Sequence, residues 1–116
     1  MKVTKVFSDE LGESHFGEVE IELADAGRIG RLSARQKASG IVFRENDESY
    51  DYDWHNAPAR QYVILLDGNI ELETSDGEIR RFTGGDVLLV EDTAGRGHRT
   101  RTVDGRKRRS LFVTLD

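Results

Sequence analysis

Cysteine is absent from this chain of 116 residues. That excludes a disulfide scaffold, a cysteine-ligated zinc ribbon and a thiol nucleophile. Histidine is scarce, at three residues, so any imidazole site must be gathered from distant stretches. There is no surplus of positive charge: 17 basic residues face 22 acidic ones, a net −5. A general nucleic-acid binder needs a basic face to displace counterions, so that class is excluded. No apolar run approaches the roughly 20 residues of a membrane span. The opening "MKVTKVFSDE" also lacks the apolar stretch of a secretion signal. The expected setting is cytoplasmic, with no membrane partner. Catalytic signatures are missing too. No G-x-S-x-G elbow occurs, and "GGDVLLV" lacks the lysine and spacing of a phosphate-cradling loop. "DYDWH" offers carboxylates, but nothing pairs two of them across a substrate.

What is present is β pattern from end to end. "VTKVF" (3–7) and "GEVEIEL" (17–23) alternate with a period near two. "SGIVFRE" (39–45) is a β-branched run. "RQYVILLDG" (60–68) and "NIELETSDG" (69–77) meet at Asp67-Gly68-Asn69, a tight hairpin signal. "EIRRF" (78–82), "VLLVE" (87–91), "HRTRTV" (98–103) and "RRSLFVTL" (108–115) follow, each entered through a turn or a Gly-containing loop. Between them, 23–36 holds at most one helical turn, because its glycines oppose a longer helix. Many short strands with regular turns predict an antiparallel sandwich or barrel in one domain, with 1–35 as N-terminal strands and wrap and 36–116 as the core. Two segments, 61–66 and 87–90, are apolar on both faces. Their second face needs cover, and a homodimer is the expected source. The alternative is that residues 1–35 wrap their own chain.

The stretch from His55 to His98 resembles the cupin superfamily. The first cupin motif runs G-x5-H-x-H-x3/4-E-x6-G. The second runs G-x5-P-x-G-x2-H-x3-N. Gln61 followed by six residues and Gly68 fits the end of the first motif, with Gln61 where cupins carry glutamate. Gly95, two residues and His98 fit the centre of the second, and "GGD" (84–86) is similar to the turn that opens it. The chain departs from the pattern elsewhere. No glycine opens the first motif, Thr93 replaces the proline, and Thr102 stands for the asparagine. The stretch from Trp54-His55 to Arg60-Gln61-Tyr62 also resembles a group of small single-domain bacterial cupins with no established reaction.

The resemblance implies an all-β, cupin-type β-barrel (double-stranded β-helix, or jelly roll). It also implies a divalent metal (Zn, Fe, Mn, Ni or Cu) held by His55, Gln61 and His98, with Asp53 as a fourth ligand. Such a protein acts on or binds a small polar organic molecule, by isomerase- or dioxygenase-type chemistry. The alternative is a non-catalytic ligand-binding or dimerisation module that has lost the metal. Without a metal, His55 or His98 would act as a general base, since imidazole titrates near neutral pH. The sequence leaves open whether Asp53 and His55 or Trp54 and Asn56 face inward. Tyr52, Trp54 and Thr100 are the candidate substrate-binding residues. Arg60 and Arg99 follow the outward positions and should face solvent. His15 is expected at the surface. "RKRR" (106–109) is expected as a hydrated hairpin that neutralises acidic strands.

Overall fold

Strands form where apolar and polar residues alternate. The computed structural model describes residues 1–116. Twelve strands are present: β1 (Lys2–Ser8), β2 (Ser14–Glu20), β3 (Ala24–Asp25), β4 (Arg31–Leu32), β5 (Gly40–Asn46), β6 (Asp51–His55), β7 (Gln61–Leu65), β8 (Asn69–Thr74), β9 (Ile79–Thr83), β10 (Val87–Val90), β11 (His98–Thr102) and β12 (Arg108–Thr114). The 23–36 stretch contributes the β3–β4 ribbon and one 3₁₀ turn, Gly27–Ile29. β2 begins three residues earlier than its alternation suggested. No helix is long and apolar enough to cross a membrane.

A six-stranded sheet, ordered β2-β1-β10-β7-β12-β5, faces a four-stranded sheet, ordered β6-β11-β8-β9. All pairings are antiparallel except β1 with β10, which is parallel. The all-β expectation holds, and the two sheets stand as an open β-sandwich.

The inner faces supply the core. On β7 the alternation holds: Gln61, Val63 and Leu65 are buried, while Tyr62 and Ile64 are only half-buried. Val6, Leu65, Leu72 and Leu88 pack between the sheets. Burying each such side chain stabilises the fold by roughly 1.5–3 kcal/mol. The outer face of the large sheet is apolar as well. Val113 lies beside Ile41 and Tyr62, and Leu111 lies beside Phe43 and Ile64. Residues 32–36 cross part of this face, where the Tyr62 hydroxyl donates to Gln36 Oε1 at 2.6 Å. The cover from the same chain is partial, since Ile41 and Phe43 remain 60% and 78% exposed.

Three features place the strands around the site. The first is a bulge in β6. His55 lies opposite His98 and Tyr52 opposite Thr100, so Asp53 and Trp54 together oppose Arg99 alone. An extra residue reverses the normal alternation. Tyr52 and His55 therefore both face inward although three positions apart. The second is Gly97, whose φ is 73°. A Cβ there would lie 2.2 Å from the His55 carbonyl oxygen, so only glycine lets the two backbones approach. The third is Ser14, fully buried, whose Oγ donates to the Gly97 carbonyl at 2.7 Å and accepts from Ser75 N–H at 2.7 Å.

One expectation is corrected. The basic run 106–109 is not wholly hydrated, because Arg108 is turned into the protein and is 1% exposed. It sits on the inward side of β12, in line with the buried Ser110. Arg109 faces out and binds Asp67 at 2.9 Å, which is not one of the acidic strands of the N-terminal region.

Gly97→Ala should destabilise the protein by about 1–3 kcal/mol from backbone strain alone, with more from the clash. Urea unfolding of the two proteins checks this; an unchanged midpoint would mean that β6 and β11 do not meet this closely.

Candidate functional site

A cavity of about 250 Å³ lies between the sheets. The large sheet supplies Arg44, Gln61, Val63, Leu88, Val90 and Phe112; the small sheet supplies Tyr52, His55, Ile70, Leu72, His98 and Thr100. The lining is mainly apolar with a few polar groups on opposite walls, the usual make-up of a small-ligand pocket.

The polar centre is a pair of histidines. Their ring centroids are 4.4 Å apart, inclined at 60°. The Tyr52 ring stacks on His55 at 3.8 Å. Each histidine is oriented through Nδ1. His55 Nδ1 donates to the Asp53 carbonyl within the bulge, at 2.7 Å. A carbonyl can only accept, so this ring carries its proton on Nδ1 when neutral. His98 Nδ1 bonds Asp92 Oδ2 at 2.5 Å. Asp92 is fully buried and stands two residues past the end of β10, and its backbone carbonyl accepts from Ala57 N–H at 3.1 Å. Nε2 is then the nitrogen left free on each ring.

Burial holds the His55 imidazole below its ordinary range, and the neighbouring His98 pushes the same way; the Asp53 carbonyl and the Asp92 carboxylate oppose this. His55 is therefore neutral near pH 7, with its lone pair on Nε2. His15 behaves oppositely. It lies between Asp9 (2.7 Å) and Asp76 (3.0 Å), and the Asp9 hydrogen bond raises it above the usual imidazole value. It is partly exposed, as expected, and its role is to tie β2 to the β8–β9 turn.

The structure brings His55, Gln61, His98, Tyr52 and Thr100 to one cavity. It does not bring Asp53 or Trp54 there. The Asp53 carboxylate is 84% exposed and lies 3.9 Å from Arg99. Trp54 is half-exposed on the outer side of the bulge. Simple alternation would put Asp53 beside His55, and the bulge defeats it. Asn56 lines the cavity rim, and its Nδ2 donates to the Gly95 carbonyl at 3.1 Å. Arg60 faces outward, to Glu91 at 2.6 Å.

Sequence reading missed Asp92 and Arg44. Asp92 opens a Gly-containing loop and reads as a turn residue; its distance of six positions from His98 was the only signal. Arg44 sits in a β-branched run whose inward face was not marked by alternation.

For a metal, the cavity offers two imidazole nitrogens and one amide oxygen. The carboxylates that would complete a set are spent: Asp92 on His98, Asp53 on the outside. No group of three His, Cys, Asp or Glu side chains is arranged to hold an ion. These residues suit an ion held weakly, with open positions, rather than a closed structural site.

No family model matches this chain, and no curated protein matches it. Among solved structures, it is similar to the crystal structure of protein NMB1881 from Neisseria meningitidis, with a TM-score of 0.51 and 16% identity over 84% of each chain. That likeness concerns the fold alone.

Proton NMR should show His55 titrating below a free imidazole and His15 above it. The linked stability terms have opposite signs. The term from His55 is present above the ordinary imidazole pKa and fades as pH falls; that from His15 is present below it and fades as pH rises. Coincident titration of both rings at the free value would contradict the geometry.

Proposed function

We propose that this chain is a small cupin-type protein whose inter-sheet cavity binds a small organic molecule and moves a proton on it. The observation that supports this most is the histidine pair, oriented from behind by oxygen acceptors and facing a mainly apolar cavity. His98 is the base. When it takes a proton on Nε2, the buried Asp92 carboxylate stabilises the resulting imidazolium. Neutral His55 accepts a hydrogen bond on Nε2 from a ligand hydroxyl. Gln61 and Thr100 supply neutral polar contacts that fix orientation. Such a set suits isomerisation through loss and return of a proton on a hydroxylated compound. Tyr52 holds the His55 ring flat against the cavity wall.

A second reading places a divalent ion on Nε2 of His55 and His98 and on the Gln61 amide oxygen. Anchored Nδ1 atoms favour it, because metal-binding histidines are held in this way. A bound ion would supply Lewis acidity; the residues around it would keep their positioning roles. The apolar outer face, with Ile41 and Phe43 exposed, supports a homodimer through the large sheet.

Deuterium incorporation from D₂O into hydroxylated carbonyl compounds tests the leading reading. Exchange should fall by about 10²–10⁴-fold in His98→Gln and in Asp92→Asn if general-base catalysis is the mechanism. Exchange at the wild-type rate in both variants overturns it. Metal titration of untagged protein separates the second reading: stoichiometric binding lost in His98→Ala would favour the ion. Light scattering should give twice the monomer mass, and Phe43→Glu should give the monomer.

A further inference from the structure

Two arginines on the cavity side of the sandwich have no counterion. Arg44 on β5 and Arg108 on β12 lie on the same inward face, because Arg44 pairs in register with Ser110 and Asn46 with Arg108. Both guanidinium groups sit against one ring, Tyr50, at 5.6 Å and 4.9 Å. Arg44 lines the cavity beside Tyr50 and Phe112, and Arg108 is not part of that lining but backs it through the Tyr50 ring. Arg44 Nε donates to Ser110 Oγ at 3.1 Å, and neither arginine forms a salt bridge. Arg108 is fully buried, and all three of its guanidinium nitrogens lack a partner. Its stem crosses Gly68, where a Cβ would come within 2.5 Å of Arg108 Cβ, so the hairpin turn holds the side chain in this direction.

Burying an unpaired charge is among the costliest things a fold can do. Here a fully buried guanidinium, Arg108, lies beside a half-buried one, Arg44. Desolvation lowers the Arg108 guanidinium to about 10, and Arg44 lowers it further; Asp104 is the weakest influence on it. Tyr50 offers its ring face but no negative charge, since burial raises its phenol and keeps it neutral. Asn46 Oδ1, buried and unpaired on the facing strand, offers one neutral oxygen at most.

From this arrangement we infer that Arg44 and Arg108 form an oxyanion-binding subsite, which takes the carboxylate or phosphate group of the cavity's ligand. The ligand class is a small amphipathic organic acid. Its anionic end meets the arginines beside Tyr50, and its apolar body lies against Val63, Leu88 and Phe112. The placement of its other end at His55 and His98 rests on the function proposed above; the anion subsite does not.

The test titrates benzoate, phenyl phosphate and uncharged benzyl alcohol into ¹⁵N-labelled protein. At least one anion should bind about tenfold more tightly than the alcohol, as charge-assisted hydrogen bonds require. The benzoate and phosphate arms identify which oxyanion is preferred. Arg44→Gln should abolish the preference while the fold survives. Arg108→Met should abolish it too and should melt no lower than wild type, because a buried unpaired charge has been removed. Equal affinity for charged and uncharged probes overturns the inference, as does a preference that survives Arg44→Gln. If the anions bind but His55 and His98 resonances stay still, the subsite stands and the proton-transfer reading fails.

Discussion

His55 and His98 meet because β6 lies against β11 closely enough to leave no room for a side chain at position 97. The rest of the site follows from that contact. It sets the bulge, and the bulge aims Tyr52 and His55 inward together. The bulge also offers the Asp53 carbonyl to His55 Nδ1. On the other side, Asp92 lies two residues past the end of β10, and its carboxylate reaches His98 Nδ1 across the following loop. One glycine and one inserted residue orient His55, and the Asp92 carboxylate orients His98, before any ligand arrives. Pre-orientation of this kind reduces the ordering cost of binding.

The electrostatic character of the cavity is lopsided. The one carboxylate behind it, Asp92, is consumed by a histidine. Of the two guanidinium groups beside it, Arg44 has one neutral partner, Ser110, and Arg108 has none. The lining between them is aliphatic and aromatic, so their field is poorly screened. Charge is thus concentrated on one wall and proton-accepting nitrogen on another. A ligand with an acidic end and a hydroxylated or carbonyl end would satisfy both walls. A wholly neutral ligand would satisfy only one.

Much of the fold was legible because strands carry their own signal. The inward set Gln61, Val63 and Leu65 follows directly from alternation, and the turns at Asp67-Gly68 and Gly84-Gly85 bound the strands beside them. His98 and Gln61 were legible for the same reason, with spacing similar to the cupin motifs. Asp53 and Trp54 were misplaced because alternation assumes an unbroken ladder, and a bulge leaves no mark in composition. Arg108 was misread because a basic run near Asp-Gly looks like a solvated hairpin. Its burial depends on which face of β12 meets the cavity, and that is decided by partner strands far away in sequence. Asp92 was invisible as a site residue for a similar reason: nothing local distinguishes it from a loop carboxylate.

The N-terminal hairpin is joined to the large sheet along a short parallel seam, Thr4 to Leu88, Lys5 to Leu89 and Val6 to Val90. Parallel ladders are slightly weaker per residue, and this one is brief. Sub-global opening of β1 and β2 as one unit would therefore require less free energy than unfolding the whole sandwich. Ser14 moves with that unit, and its hydroxyl holds the Gly97 carbonyl. Each such opening would release the loop that presents His98. Slow fluctuation at the hairpin would thus be transmitted to the imidazole pair, and amide exchange in β1 would report on the readiness of a site on the other side of the core.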